Sequence, residues 1–377
     1  MTFTFLHTAD WQIGKPFGGF ASDRAAFLAE ARRSAIDRIA TIARANGAEH
    51  VLVAGDVYDA RDIPDMDLVQ SLDRMRRAQD LVWHLLPGNH DPAHPGGIWD
   101  RLVRKGVPAN VRLHLEPGVV AMTPDVALLT APLKAKTAVA DPTAWMDTAE
   151  TASARYRIGL AHGSIQGFGG EDGDAAVPIS PNRAASAGLS YLALGDWHGL
   201  TRISDRVWYS GTPEPDRFPD NEPGFVLAIH LDGPQHSPRV ERHATGQYTW
   251  LKRSVDVTAG SVQQALNALL NDQPHAERVL LNLKITGAPS LSGWAEAEEQ
   301  LAMLAPRLFH FAIDTSAVTV LPEAIELEEF GSGDVRRVAE TLSAIARDQN
   351  SGRAGAAALA LRKFYQMTRE TQTGGAS

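Results

Sequence analysis

The chain has 377 residues and a formal net charge of −9, with 44% hydrophobic and 21% charged residues. This length predicts two domains, and the composition is typical of a globular protein. The acidic balance excludes a protein held to nucleic acid by charge alone, although clustered carboxylates would be neutralised by any metal ions they bind. The chain has no cysteine, which excludes disulfides and thiolate metal sites and is typical of a reducing compartment.

The N-terminus lacks the pattern of a secretory signal, and no later stretch is long and apolar enough to span a bilayer. We therefore expect a cytoplasmic protein that has no membrane partner.

The first part of the chain alternates strand and helix patterns. Residues 4–8, 50–54 and 81–86 are apolar or β-branched runs typical of strands. Between them, apolar residues recur at helical spacing in 23–46 and in 65–79. This order predicts an α/β fold whose functional loops lie at the carboxyl ends of the strands.

The domain boundaries follow from composition. A polar stretch near 231–246 separates the first domain, residues 1–235, from a second strand–helix–strand pattern at 247–325 that includes a helix at 261–271. A short Gly-Ser linker then precedes a helical tail at 334–370. That tail could bind a partner or pack on its own domain, and the sequence leaves both open.

Polar motifs follow five of the predicted strands. Each one taken alone could be a turn, since Asp, Asn and Gly are ordinary turn formers. Polar side chains at the ends of buried strands are nevertheless costly unless they bind or react with something. Carboxylates, imidazoles and amide oxygens are ligands for divalent cations, and this set exceeds what one ion needs. The motifs contain Asp10 and Gln12, Asp56, Asn89 with His90 and Asp91, His162, and Asp196 with His198.

The order of these motifs resembles that of the calcineurin-like metallophosphoesterases. His7-Thr8-Ala9-Asp10 and Tyr209-Ser210-Gly211-Thr212-Pro213-Glu214 are similar, more specifically, to DNA double-strand-break repair exonucleases of the SbcD type. The resemblance implies a β-sandwich flanked by helices, a smaller α/β capping domain and a C-terminal helical tail. It also implies DNA as substrate, an SMC-like ATPase partner of the SbcC type bound through the C-terminal helices, and a homodimer.

The resemblance also implies the roles of the motif residues in a site for two divalent metal ions. His90 is similar to the family's catalytic histidine, and Asp91 would orient its imidazole. The first ion would be held by Asp10, Gln12, Asp56 and His198. The second would be held by Asp56, Asn89, His162 and Asp196.

Two residues depart from the family pattern. Gln12 stands where the family usually has histidine, and Asp196 replaces the first histidine of Gly-His-x-His. Both changes move the site from nitrogen towards oxygen ligands, which favours Mn²⁺, or else Mg²⁺, over softer metals. The alternative is that these changes weaken metal binding at the first site.

We therefore expect a metal-dependent DNA phosphodiesterase, an exo- or endonuclease, in which a hydroxide held by two metal ions attacks with help from His90. One alternative is a small-molecule phosphodiesterase, for example on cyclic nucleotides. Another is a non-catalytic scaffold that binds DNA ends or the ATPase.

Trp11 and Trp197 flank predicted ligands. We expect both side chains to pack against the protein core, with base stacking as the alternative. A Gly-rich loop at 166–182 is expected to shape access to the site.

Overall fold

The computed structural model describes residues 2–60, 62–151, 154–168, 176–218, 221–258, 264–265, 267–268, 273, 275–320, 324–348 and 350–374. The chain divides into two compact units, Met1–Tyr248 and Thr249–Ser377. The predicted helix at 261–271 lies mostly outside the described residues, as do 169–175 of the Gly-rich loop.

The first unit combines many short strands with a few helices. Its helices are α1 (Ser22–Ala45), α2 (Asp65–Arg77), α3 (Ile98–Lys105) and α4 (Arg183–Ser186). Its strands are β1 (Phe3–Thr8), β2 (His50–Val53), β3 (Val82–Leu85), β4 (Val111–Leu113), β5 (Gly118–Thr123), β6 (Val126–Ala131), β7 (Tyr156–His162), β8 (Ser164–Ile165), β9 (Pro178–Ile179), β10 (Tyr191–Gly195), β11 (Thr201–Arg202), β12 (Val207–Tyr209), β13 (Phe225–Leu231) and β14 (Arg239–Ala244).

In the described part of the chain, the strands of the first unit form two six-stranded sheets and one two-stranded sheet, β8-β9. The first has the order β14-β13-β1-β2-β3-β4, and the second has the order β11-β12-β10-β7-β6-β5. Strands β1 to β4 run parallel, as do β6, β7, β10 and β12. The carboxyl ends of parallel neighbours meet at one edge of a sheet, so the loops after these strands are brought together.

Three apolar layers hold the first unit together. Phe5 and Leu52 from the first sheet pack against Leu160 and Tyr191 from the second. The outer face of the first sheet packs on α1, α2 and α3, because these helices carry apolar residues at helical spacing. A further apolar cluster, which includes Ala184 of α4, covers the outer face of the second sheet. The predicted α/β class, a β-sandwich flanked by helices, is confirmed.

The first unit extends beyond residue 235. Strand β14 pairs with β13 over six residue pairs, from Phe225 opposite Ala244 to His230 opposite Arg239. Its side chains are exposed or half-buried because it is the edge strand of the sheet. Its polar composition, from which we predicted a domain boundary, is therefore that of a sheet edge, where polar residues are common.

The second unit contains a parallel sheet and several helices. In the described residues its strands are β15 (Thr249–Asp256), β16 (Val279–Gly287) and β17 (His310–Val318), with β16 in the middle. Its described helices are α5 (Leu291–Leu304), α6 (Ala324–Glu328), α7 (Asp334–Arg347) and α8 (Ala354–Gly374). Within the parts of the chain that the structure describes, no helix has the length and apolarity needed to cross a membrane.

The predicted helical tail packs within the second unit. Leu361 and Tyr365 of α8 and Ala339 of α7 are buried in the same apolar cluster as Trp294 of α5. The hydroxyl group of Tyr365 also donates a hydrogen bond to Glu329 at 2.7 Å. The apolar face of the tail therefore contributes to the core of this unit.

Candidate metal centre

The loops that carry the polar motifs have a strained backbone. Among the described residues, the non-glycine residues with positive φ are Asp10 (53°), Gln12 (43°), Asp56 (50°) and Asp196 (107°). Each of them belongs to a predicted metal-binding motif. Positive φ is costly for residues with a side chain, and such strain concentrates at functional sites.

Backbone hydrogen bonds hold the first two motif loops side by side. The N–H group of Asp10 donates to the carbonyl oxygen of Gly55 at 3.1 Å, and that of Gln12 donates to the carbonyl oxygen of Asp56 at 2.9 Å. These bonds continue the parallel pairing of β1 and β2 beyond the strand ends. They fix the positions of two carboxylates that are far apart in sequence.

Asp10, Asp56 and His162 form a buried cluster. One candidate ligand atom from each lies within 4.8 Å of the others. Nδ1 of His162 is 2.9 Å from the carbonyl oxygen of Ala54, which can only accept, so Nδ1 carries a proton. Nε2 is buried, has no hydrogen-bond partner among the described atoms, and lies 3.5 Å from Oδ1 of Asp56. A bound cation would take the place of a proton at this buried imidazole nitrogen, which faces a carboxylate.

The pKa values of Asp10 and His162 indicate that the cluster favours bound positive charge. Burial raises the pKa of Asp10 to about 7, although the nearby His198 and His162 act in the opposite direction. Burial alone would lower the pKa of His162, but three nearby carboxylates, led by that of Asp56, outweigh it and raise that pKa to about 9. A metal ion would displace these protons, because its ligands must be deprotonated.

Glycines around the cluster leave room for its side chains. A Cβ atom on Gly88 would lie 2.2 Å from Oδ1 of Asp56 and 2.4 Å from its backbone nitrogen. A Cβ atom on Gly195 would lie 2.0 Å from the carbonyl oxygen of Ala54 and 2.8 Å from Nδ1 of His162. The glycines that precede Asn89 and Asp196 in their motifs therefore allow the loops to approach closely.

Asn89 and Asp196 lie beside this cluster. The amide nitrogen of Asn89 donates to Oδ1 of Asp196 at 3.0 Å, and its buried Oδ1 has no partner among the described atoms. The backbone N–H group of Asp196 donates to the carboxylate of Asp10 at 3.1 Å. Oδ1 of Asp196 is 3.8 Å from Nε2 of His162. The structure thus brings together the residues predicted for the second ion.

Gln12 and His198 also lie beside the cluster and contact each other. The amide nitrogen of Gln12 is 3.1 Å from Nε2 of His198, and its amide oxygen accepts from Lys15 at 3.3 Å. Both residues adjoin the cluster through the backbone bond from Gln12 to Asp56 and through the short loop from Asp196 to His198. Their predicted role as ligands of the first ion stays a prediction.

His90 and Asp91 point in different directions. Nδ1 of His90 is 2.8 Å from the carbonyl oxygen of Asp59, and its Nε2 is 4.0 Å from Oδ2 of Asp56. The prediction that Asp91 orients this imidazole is wrong. The buried carboxylate of Asp91 accepts instead from the backbone N–H groups of Gly88 and Tyr58, at 2.6 and 3.0 Å. It holds the loop, because a buried carboxylate stabilises itself with the nearest backbone donors.

Sequence reasoning missed a buried carboxylate behind His198. Oδ1 of Asp216 is 3.5 Å from Nδ1 of His198, and the side chain is only 2% exposed. Its Oδ2 pairs with Lys15 at 2.9 Å and lies 3.7 Å from the buried Arg32. These groups outweigh burial and hold the pKa of Asp216 well below its usual value.

Two sequence signals could have indicated this carboxylate. Asp216 follows the strand pattern of 207–209, so it occupies a sixth strand end. Arg32 lies on the apolar face of α1, one turn from Leu28 and Ile36 and buried with them. An arginine in that position needs a buried acid.

The donor set fits divalent cations. Asp10 and Asp56 supply carboxylate oxygens, and His162 and Asn89 supply an imidazole nitrogen and an amide oxygen that have no hydrogen-bond partner in the described part of the chain. Mixed oxygen and imidazole sets of this kind suit Mn²⁺, Mg²⁺ and Zn²⁺. The residues present therefore fit a metal centre.

Comparison with known proteins agrees with this centre. The family model for calcineurin-like phosphoesterases matches residues 3–230. The chain belongs to this family. As a calcineurin-like phosphoesterase, it is identified as a metal-dependent hydrolase of phosphoester bonds, and the matched residues contain the motifs from Asp10 to His198.

The proteins similar to this calcineurin-like phosphoesterase include one curated relative and one solved structure. The "uncharacterized metallophosphoesterase YhaO" of Bacillus subtilis (strain 168) is 25% identical over 295 residues, which cover 71% of this chain and 67% of YhaO. The crystal structure of TT1561 of Thermus thermophilus shares 13% identity, with a TM-score of 0.39, and the match covers 65% of this chain and all of that one.

Proposed function

We propose that this protein is a DNA phosphodiesterase of the SbcD type that uses two divalent ions, with Mn²⁺ as the preferred metal. The observation that carries the proposal is the buried Asp10–Asp56–His162 cluster at the carboxyl ends of parallel strands, in which one imidazole nitrogen has no hydrogen-bond partner among the residues described. The resemblance of the motifs around Asp10 and Tyr209 to repair exonucleases supports DNA as the substrate.

The metals would be held by the residues named above and, when bound, would activate a water molecule and neutralise charge on the phosphoryl oxygens. Oxygen donors at Gln12 and Asp196, where the family usually has histidines, support Mn²⁺ or Mg²⁺ over softer ions.

His90 is the residue that we propose to assist the reaction. Since the carbonyl oxygen of Asp59 only accepts, Nδ1 of His90 carries a proton and fixes the imidazole ring. Nε2 is then the atom that holds or donates a second proton, and it lies on the side of Asp56, at 4.0 Å. Its side chain is 41% exposed, so substrate can reach it. A protonated Nε2 would stabilise charge on the phosphoryl group or protonate the leaving oxygen.

We further propose that the protein acts with an SMC-like ATPase of the SbcC type, which binds α7. Val335 and Val338 on this helix are 43% and 49% exposed. A shallow cavity of about 400 Å³ lies beside them, lined by Asp334, Arg337, Val338, Thr341 and Leu342. Exposed apolar groups rimmed by charge are typical of protein-binding surfaces. The homodimer that the resemblance implies stays a prediction.

One observation favours the second candidate, a small-molecule phosphodiesterase. The cavity next to His90 and Asp196 has a volume of about 460 Å³. This lies within the range of roughly 300–1,000 Å³ that is usual for small-ligand pockets.

The deciding experiment is cleavage of end-labelled linear duplex and single-stranded DNA by the purified protein with Mn²⁺. We expect cleavage that stops when Mn²⁺ is removed and falls by about 10²–10⁴-fold in His90→Ala, the usual contribution of a positioned acid or base. His94→Ala is the matched control, because His94 lies outside the five motifs.

Other results would change the proposal. Hydrolysis of small phosphodiesters alone, with the same dependence on His90, would replace DNA by a small-molecule substrate. Absence of hydrolysis on both substrates, in protein shown to bind Mn²⁺, would favour the non-catalytic scaffold.

A further inference from the structure

The cavity at the metal centre has an aromatic wall. Its lining includes Trp197 together with His90, Asp196 and His198. Trp197 lies between two predicted metal ligands in sequence and is 36% exposed. The cavity therefore places an aromatic surface beside the atoms that would react.

Packing alone does not explain Trp197. Trp11, which also flanks predicted ligands, is 2% exposed and packs at 78° against Trp83, as expected for a core residue. Trp197 instead contacts Phe168 at a ring-centre distance of 5.3 Å and an angle of 79°. Phe168 is in turn stacked on Tyr209, at 5.8 Å and 19°. This chain of rings fixes the orientation of Trp197 and leaves part of its surface facing the cavity.

The cavity also contains a guanidinium group. Arg217 donates from its Nη2 to Nδ1 of His198 at 2.8 Å and from its Nε to Asp216 at 3.2 Å, and its side chain is 59% exposed. The carboxylate of Asp216 already has Lys15 and Arg32 beside it. The positive charge of Arg217 therefore exceeds what this buried carboxylate needs, and it lies where an anion can reach it.

We propose that this cavity binds one unpaired nucleotide, with its base against Trp197 and a phosphate oxygen at Arg217. The inference rests on the proposed function and specifies its substrate as an unpaired strand. A volume of about 460 Å³ accommodates one nucleotide, whereas a duplex keeps its bases stacked and away from an aromatic side chain. Stacking on an aromatic residue tolerates any base, because every base has a π face.

The test measures binding separately from cleavage. All variants carry His90→Ala and are loaded with Mn²⁺, and a short fluorescein-labelled oligothymidylate or a blunt hairpin duplex is titrated by anisotropy. We expect Trp197→Ala to raise the Kd for oligothymidylate by about 10-fold or more, the usual loss for one stacked base. Trp197→Phe retains most of the affinity, and Trp208→Ala, a tryptophan outside the cavity, retains all of it.

The contribution of Arg217 is measured separately, through the salt dependence of binding. Neutralising one phosphate of a single strand contributes about −0.7 to the slope of log K against log salt concentration. Arg217→Ala is expected to reduce that slope by about this amount, whereas Arg202→Ala, on the exposed β11 and paired with Asp205, leaves it unchanged.

Failure of this inference is distinguishable from failure of the proposed function. An unchanged Kd for Trp197→Ala, or an equal loss on the hairpin duplex, overturns the inference even if the parent protein cleaves DNA. Binding that depends on Trp197 supports the inference even if no DNA is cleaved. Competition with thymidine monophosphate tests the strand itself: resistance at matched concentration supports an unpaired strand as the ligand, whereas displacement overturns it and indicates a free nucleotide.

Discussion

At the scale of single residues, Asp216 explains how His198 can serve a metal. A histidine ligand binds through one ring nitrogen while the other donates to an acceptor that fixes its tautomer. Asp216 is a buried acceptor 3.5 Å from Nδ1 of His198, and Lys15 and Arg32 keep it charged. Nδ1 of His198 also lies 2.8 Å from Nη2 of Arg217, which can only donate. Donation from Nδ1 to Asp216 therefore requires Arg217 to move away, and Nε2, on the side of Gln12, is then the nitrogen left for an ion.

We expect Asp216→Ala to weaken Mn²⁺ binding by about 10–100-fold, the usual cost of removing such an acceptor. Asp216→Asn keeps an acceptor oxygen and should recover part of that loss, which a purely structural role for the charge would not predict. Asp205→Ala is the control, because Asp205 is exposed and bound to Arg202. Isothermal titration with Mn²⁺ measures the affinity, and thermal melting checks the fold. Wild-type affinity in a folded Asp216→Ala protein would contradict this role.

At the scale of elements, the metal centre depends on how closely its loops approach. The loop after β3 passes over Asp56 at Gly88, with no room for even one methyl group. The same loop is held by the carboxylate of Asp91, which accepts from Gly88 and from Tyr58 in the loop after β2. Backbone contact between neighbouring strand ends thus sets the distances between ligand side chains.

Gly88→Ala should therefore displace Asp56 and reduce Mn²⁺ binding. We expect it also to lower the free energy of unfolding by about 1–3 kcal/mol, as overpacked sites do. Gly118→Ala is the matched control, since its added Cβ meets nothing within 4 Å. Denaturant unfolding and metal titration give the two readouts. Equal behaviour of the two variants would show that the close approach at Gly88 is unimportant.

At the scale of the whole molecule, each unit has its own apolar core and its own proposed task. The first unit holds the metal centre between its sheets and loops. In the second unit α8 contributes Leu361 and Tyr365 to the core, while α7 exposes Val335 and Val338. The tail can therefore pack on its own unit and still present a surface to a partner.

This arrangement determines how the proposed docking of an ATPase is tested. Deleting the tail would open the core of the second unit, so we use a surface change instead. We expect Val338→Asp to abolish capture of an SMC-like ATPase from the same organism, because a charge desolvated in an apolar contact is costly. Val119→Asp, at a similarly exposed valine on β5, should retain capture. Equal capture by both folded variants would exclude this face of α7.

The sequence alone determined what depends on local order along the chain. The strand and helix patterns predicted the α/β sandwich, and five strand-end motifs placed Asp10, Asp56 and His162 together, because parallel strands end at a common edge. Only the tertiary structure decided which side chains face each other across the chain. Asp91 binds backbone rather than His90, Asp216 lies behind His198, and Trp197 faces a cavity while Trp11 is buried. These pairings join residues on different elements, and packing and the need to satisfy buried polar groups select them.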